Sequence, residues 1–272
     1  MGTEVTALVP PGVAVEAVRR RFGAVEAACS RFLPDSDLSR VNRSPAGRIV
    51  MPGLLAEVVA AGAVQRDLTG GLVDAGMGAL VRSWGYDATF EEVVGLDAEP
   101  DPGDTPAWAV RNGVLHRRPG MLLDLGGVAK GWTADRAVEA GEAAVVSAGG
   151  DVRSSDPATV VDVLGPEGSP AASLHLGAAA LATSSTSRRR WIVEGRPAHH
   201  LIDSRTGRPA STPVVSASTI CRTAVEAEAA AKAVLLLGAE GLAWASRMPW
   251  VRDAVVVWHD GTVYATRGVE VA

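Results

Sequence analysis

Met121-Leu-Leu-Asp-Leu-Gly-Gly-Val-Ala-Lys-Gly131 and, further on, Ala144-Val-Val-Ser-Ala-Gly-Gly-Asp151 carry the reading that decides the fold. A short apolar segment, 121–123, feeds a glycine turn, and a helix is expected from about Trp132 to Ala140. The apolar run 144–147 reads as a strand that enters a second glycine turn. Upstream the chain is helical in pattern. Val15, Val18, Phe22, Val25 and Cys29 recur at spacings of three and four, as do Leu54, Leu55, Val58, Val59 and Ala63. Downstream, strands are expected at 159–164, 172–176, 190–194 and 214–220, followed by an alanine-rich helix over 223–237 and a closing hairpin that turns at Asp260-Gly261. Strands that cluster after 143 instead of alternating with helices predict an α+β fold with mixed, largely antiparallel sheets packed with helices. A first strand is expected within residues 2–9. The Asp-, Pro- and Gly-rich stretch 88–120 reads as loops and a hairpin around Gly113, and as the place for an insertion in one 1–272 domain.

Composition bounds the function. The chain has 272 residues, 47% of them hydrophobic, enough for a real core. A net charge of -5 argues against a broad electrostatic surface for nucleic acid or anionic membrane, so any phosphate recognition is local. Cys29 and Cys221 stand far apart with no CxxC, which supports neither a disulfide framework nor a thiolate zinc site. No basic n-region precedes an apolar stretch at the start, and no later run reads as long and uncharged enough to span a bilayer; a cytoplasmic protein without membrane insertion is expected.

Several constellations carry possible chemistry. In Asp124-Leu-Gly-Gly-Val-Ala-Lys-Gly131 the backbone N–H groups at a helix start and the Lys130 ammonium suit an anion, although a glycine turn needed only for chain reversal is an equal local reading. Thr69-Gly-Gly-Leu-Val-Asp74 and Ala148-Gly-Gly-Asp151 pair glycines with a carboxylate, and a capping or turn role explains each as well. His200, near Asp203, is a candidate general base, with an unperturbed pKa of about 6.5. Asp203-Ser-Arg-Thr-Gly-Arg-Pro209 is a strong turn signal. Leu181 to Trp191 combines hydroxyls with three arginines, a fair composition for phosphate, with a solvated turn as the default. On the late helix Glu228 and Lys232 stand at i and i+4, the favourable order for an ion pair worth roughly 0.2–0.5 kcal/mol.

Taken in series, Met1-Gly-Thr3, Ser30-Arg-Phe-Leu-Pro-Asp-Ser-Asp-Leu-Ser-Arg-Val-Asn42, Gly71-Leu-Val-Asp74 with Trp84-Gly85, Asp124 to Gly131, Ala148-Gly-Gly-Asp151, Ala182-Thr-Ser184 and His200 to Gly207 resemble the ApbE-like FAD:protein FMN transferases over nearly the whole chain. The resemblance implies FAD as cofactor, a divalent metal such as Mg2+, and transfer of FMN to a threonine or serine of an acceptor protein with release of AMP. It places Met1, Phe32, Leu72, Val73, Asp74, Asp124, Lys130 and Leu201 at flavin-contacting positions. His200 is the candidate for activating the acceptor hydroxyl. Metal ligands in the family come from a backbone carbonyl in the glycine turn, here Gly127, and from two positions on the late helix, here Glu228 and Lys232. A protonated lysine has no lone pair for a metal. Two hypotheses follow: a transferase that uses Glu226 or Glu228 with water, or a flavin-binding homologue that has lost metal-dependent transfer and serves as a sensor, carrier or partner. Gly76, where Thr is usual, Leu33, where Arg is common, and Ser185, where Gly is usual, are further departures.

Overall fold

The computed structural model describes all residues except 1–2, 89–91, 94, 101–106, 166–167, 188, 268 and 270–272. Met1 and part of the expected 88–120 insertion therefore lie outside the described residues. The chain runs β1 (Val5–Leu8), α1 (Val15–Cys29), α2 (Asp37–Arg43), β2 (Arg48–Val50), α3 (Gly53–Leu68), α4 (Gly78–Ser83), β3 (Trp108–Arg111) and β4 (Val114–Arg117). Then come α5 (Ala129–Glu139), β5 (Val145–Ala148), β6 (Asp151–Ser154), β7 (Val160–Leu164), β8 (Pro170–His175) and β9 (Ala180–Ser185). β10 (Arg190–Val193), β11 (Arg196–His199), β12 (Ile202–Asp203), β13 (Arg208–Pro209), β14 (Val214–Cys221), α6 (Ala224–Leu237), α7 (Gly241–Arg247), β15 (Val251–Trp258) and β16 (Val263–Ala265) complete it. Contacts gather these elements into two compact units. The first comprises Phe22–Ala129 and Arg188–Ala210, the second Thr3–Arg21, Lys130–Ser187 and Ser211–Ala272.

The second unit is built on a seven-stranded sheet in the order β1-β5-β6-β9-β14-β15-β16, with each neighbouring pair antiparallel. β14 is buried at all eight positions, and α6 packs against it and β9. The contact is made by Ala180, Ala182, Cys221, Ala224, Ala227, Ala230 and Ala231. Side chains this small let a helix approach a sheet closely without voids. They also explain why β9 escapes a sequence reading: Ala-Leu-Ala-Thr-Ser-Ser has one β-branched residue and no aromatic one, and burial against α6 decides the matter instead. The hydroxyls of this segment are spent inside the fold: Thr183 and Ser218 are hydrogen-bonded at 2.8 Å, and Ser185 donates to the Val215 carbonyl.

Helix α6 begins on a Thr223 cap that exchanges hydrogen bonds with Glu226. It is capped a second time from α5, where Asp135 accepts from the Ala224 and Val225 N–H groups at 2.8 and 3.1 Å. The reading that no run has the length and composition of a membrane span needs correction. α6, the 3-10 turn at Gly238–Glu240 and α7 together form a stretch, Ala224–Arg247, of 24 residues and mean hydropathy 1.2 that passes both criteria. A core helix passes the same test. Here Ala224, Val225, Ala227–Ala231 and Ala233–Leu236 are all buried in the unit.

In the first unit, β2, β4 and β3 form a small antiparallel sheet, so the hairpin around Gly113 belongs to a layer of structure. Aromatic residues supply a second core: Trp84, Tyr86 and Trp191 pack with Met77, Leu80, Val193, Ala198 and Ile202. The N–H groups of Trp84, Trp108 and Trp191, buried in this unit, each have a partner, as their polarity requires. Trp84 donates to the Gly207 carbonyl at 2.8 Å, Trp191 to the Trp84 carbonyl at 2.7 Å, and Trp108 to Asp74 at 2.7 Å. Three of the seven tryptophans thus pin turns of this unit.

Candidate functional site

Within the first unit, the segment 121–124 is held from both sides. Asn42 donates to the Leu123 carbonyl and accepts from its N–H, both at 2.9 Å. The Gly78 N–H donates to the Leu122 carbonyl, and the Asp124 N–H to that of Ala75. The buried Arg117 guanidinium donates to the carbonyls of Met121, Val41 and Ser44, and burial lowers its pKa. Asp124 is thereby set beside the turn that starts at Asp74. One of its oxygens accepts from the Gly126 N–H at 2.8 Å and the other from Arg31 Nε at 2.8 Å.

Arg31 was not among the expected site residues. Its side chain is 8% exposed, donates to the Tyr86 carbonyl, and lies 4.1 Å from the Phe32 ring centroid and 4.8 Å from that of Tyr86. Leu33 is exposed, and the guanidinium of this segment comes from Arg31. Asp74 accepts from the Gly76 N–H and from Trp108 on one oxygen. Gly76 has a steric reason: a Cβ there would stand 2.7 Å from the Trp108 ring, so the threonine usual in the resembled family would collide with it. Phe32, Tyr86 and His200 follow one another at ring distances of 5.6 and 6.4 Å, and Ser204 donates to the Leu72 carbonyl. The unit therefore gathers the Phe32, Leu72–Asp74, Asp124 and His200–Leu201 segments into one network.

In the histidine segment both oxygens of Asp203 are held by Arg205, at 2.7–3.2 Å, and one also caps the turn. His199 is a fixed ring. It is buried, meets the Ala210 carbonyl at 3.0 Å through Nε2 and the Leu201 N–H at 3.3 Å through Nδ1, and burial lowers its pKa. His200 is half-buried, edge-on to Tyr86.

The second unit contains a charged cluster of two carboxylates and two ammoniums. Lys130, in the first turn of α5, places Nζ 3.7 Å from Asp151 Oδ2 and 3.9 Å from Glu228 Oε1. Lys232 Nζ is 3.3 Å from the same Glu228 oxygen. Of the expected pair at i and i+4, Glu228 is buried and Lys232 half-buried. Asp151 was passed over in the sequence as a turn residue; the available signal was the glycine pair before it. Gly149 and Gly150 have φ of 62° and 107°, and a Cβ on Gly149 would strike Thr3 and stand 3.5 Å from Lys130 Cε. Burial, reinforced by Glu228, raises the Asp151 pKa against the pull of Lys130 and Lys232.

This donor set does not fit a divalent metal. Among the described residues no group of three or more His, Cys, Asp and Glu side chains is gathered. Asp151 Oδ2 and Glu228 Oε2 are buried without hydrogen-bond partners, but two ammoniums already balance the two carboxylates. A dedicated Mg2+ site presents oxygen donors, not cations. Gly127, the other expected ligand, is half-buried in the first unit.

The fold defines a class. It matches the solved structure of the ApbE protein from Thermotoga maritima with a TM-score of 0.84, over 98% of this chain and 94% of that one at 24% identity. It matches the flavin transferase ApbE from Vibrio cholerae with a TM-score of 0.77, over the same shares at 23% identity. The α+β expectation holds. The sequence model of the ApbE family matches residues 1–255, running through both units, and the chain belongs to that family. Among curated relatives, the FAD:protein FMN transferase of Treponema pallidum is 31% identical over 242 residues, 74% of this chain and 64% of that protein. The one of Vibrio cholerae is 27% identical over 261 residues, 82% of this chain and 73% of that protein. The chain thus spans just under two thirds of the Treponema relative.

Proposed function

We propose that this chain binds FAD and transfers its FMN half to a threonine or serine hydroxyl of an acceptor protein, releasing AMP. The observation that carries the reading is Lys130, braced by the buried carboxylates Asp151 and Glu228, in a chain whose curated relatives bear the name FAD:protein FMN transferase. In the reaction the acceptor oxygen forms a bond to the FMN phosphorus while the bridging P–O bond breaks, and AMP leaves with the bridging oxygen. His200, half-buried and edge-on to Tyr86, is the group we assign to take the hydroxyl proton. Flavin contacts are assigned to Phe32, Leu72, Val73, Asp74, Asp124 and Leu201, and Lys130 offsets phosphate charge. No step is drawn through a metal, because the residues at hand do not make a site for one.

Lys232 favours a second reading, a flavin-binding homologue without transfer, because the late-helix position expected to hold a metal carries an ammonium. The two separate on one assay: chromatography of the purified protein incubated with FAD and an acceptor preparation, with gel fluorescence for protein-bound flavin. AMP release with a fluorescent acceptor band supports transfer. FAD bound but returned intact, with no band, supports the second reading, and absence of FAD binding overturns both.

A further inference from the structure

In the second unit the two ammoniums of the charged cluster are more exposed than the carboxylates beneath them. Side-chain exposure is 12% for Lys130 and 18% for Lys232, against 4% for Asp151 and 7% for Glu228. The lysine side chains are therefore the members of the cluster nearer to solvent. A cation approaching the carboxylates meets the repulsion of two positive charges, whereas an anion is drawn to them. The carboxylates take a different part. They lie on separate elements, Asp151 at the start of β6 and Glu228 on α6, and Lys130 is drawn between them from α5. Glu228 holds Lys232 from one helical turn away. Thr3, which leaves no room for a Cβ on Gly149, closes in on the turn where Lys130 Cε also lies.

We propose that Lys232 is a built-in cation: with Lys130 it forms a metal-free subsite for the phosphate groups of a nucleotide ligand, and Glu228 and Asp151 serve as its counter-ions. Lys232 is the ammonium that makes a divalent ion superfluous here. The inference rests on the flavin-transferase reading only for the identity of the nucleotide.

The test uses the full chain and three probes: Mn2+ followed by electron paramagnetic resonance, FAD by fluorescence, and inorganic pyrophosphate by calorimetry. The two ligands are titrated in excess chelator and, for FAD, again in Mg2+. The expected result is no protein-bound Mn2+, FAD affinity that is the same with and without Mg2+, and a loss of about tenfold in both affinities for Lys232→Thr in chelator, the weight of one charge-assisted contact. Lys232→Arg keeps the charge and should keep the affinity, which separates loss of the ammonium from loss of the fold. Stoichiometric Mn2+ on the unaltered protein, FAD binding that needs metal, affinities indifferent to Lys232→Thr, or no binding of either ligand would each overturn the proposal. Pyrophosphate bound through Lys232 without FAD binding would end the flavin-transferase reading and leave the subsite standing. Transfer of FMN by a protein that holds Mn2+ would do the reverse.

Discussion

Arg31 in the first unit and Lys130 in the second each neutralise carboxylate, but by different means. Arg31 meets Asp124 at 2.8 Å, adds a bond to the Tyr86 carbonyl, and lies against two aromatic rings. Its charge is spread over a planar group that needs little water, and neutral neighbours satisfy it. Lys130 stands 3.7–3.9 Å from two carboxylates and shares one of them with Lys232. There a set of point charges is balanced only as a whole. The first arrangement fixes geometry, the second holds charge in reserve at the edge of water.

The contrast can be broken by removing one charge from each side. Glu228→Gln leaves two ammoniums facing Asp151 alone, and the cost expected for unpairing a buried ion network is about 3–5 kcal/mol of unfolding free energy. Arg31→Met keeps apolar contact with Phe32 and Tyr86 and loses the bond to Asp124, with an expected loss of about 2 kcal/mol. Urea denaturation of both variants reads the comparison, and equal losses would remove the distinction between a collective cluster and a locally satisfied ion.

The smallest effect is a pH dependence in the second unit. Burial pushes the Asp135 carboxyl up to about 6, despite its two backbone donors and Arg153. A raised carboxyl binds its proton more tightly in the folded chain, so its contribution to stability is fully present below about pH 4 and lost as pH rises through 6. The slope is at most about 1.4 kcal/mol per pH unit. Asp151, also raised, acts with the same sign, while Glu142 and Asp203, lowered, act at lower pH with the opposite sign. Unfolding measured between pH 4.5 and 7 should therefore show a shallower fall for Asp135→Asn than for the unaltered protein. An unchanged slope would mean that Asp135 does not hold its proton in the fold.

Much of this was legible in the chain. Helix periodicity gave α1 and α3, the stripes Val15–Cys29 and Leu54–Ala63 lying within them, because a stripe at spacings of three and four has no other regular use. The run 214–220 and the turn at Asp260-Gly261 announced the central strand and the last hairpin. Glycine turns marked the neighbourhoods of Asp74, Asp124, Lys130 and Asp151. Less was visible where small residues do the packing. β9 reads as a hydroxyl-rich loop until α6 covers it, and the Glu228–Lys232 pair reads as a surface ornament until its helix is buried.

Local order in the sequence determined the elements and the family, since periodicity, caps and glycine turns act over a few residues and need no distant partner. Only the tertiary structure decided the sign of the charged cluster. Lys130, Asp151, Glu228 and Lys232 span about a hundred residues of chain, and whether they present carboxylate or ammonium to solvent depends on which side chains the packing of α5, β6 and α6 leaves outermost. It likewise made Asp203 the partner of Arg205, put Arg31 on Asp124, and excluded a side chain at Gly76 by placing the Trp108 ring there. Such facts come from close packing between segments remote in sequence, where one side chain's place is set by the volume that the others leave.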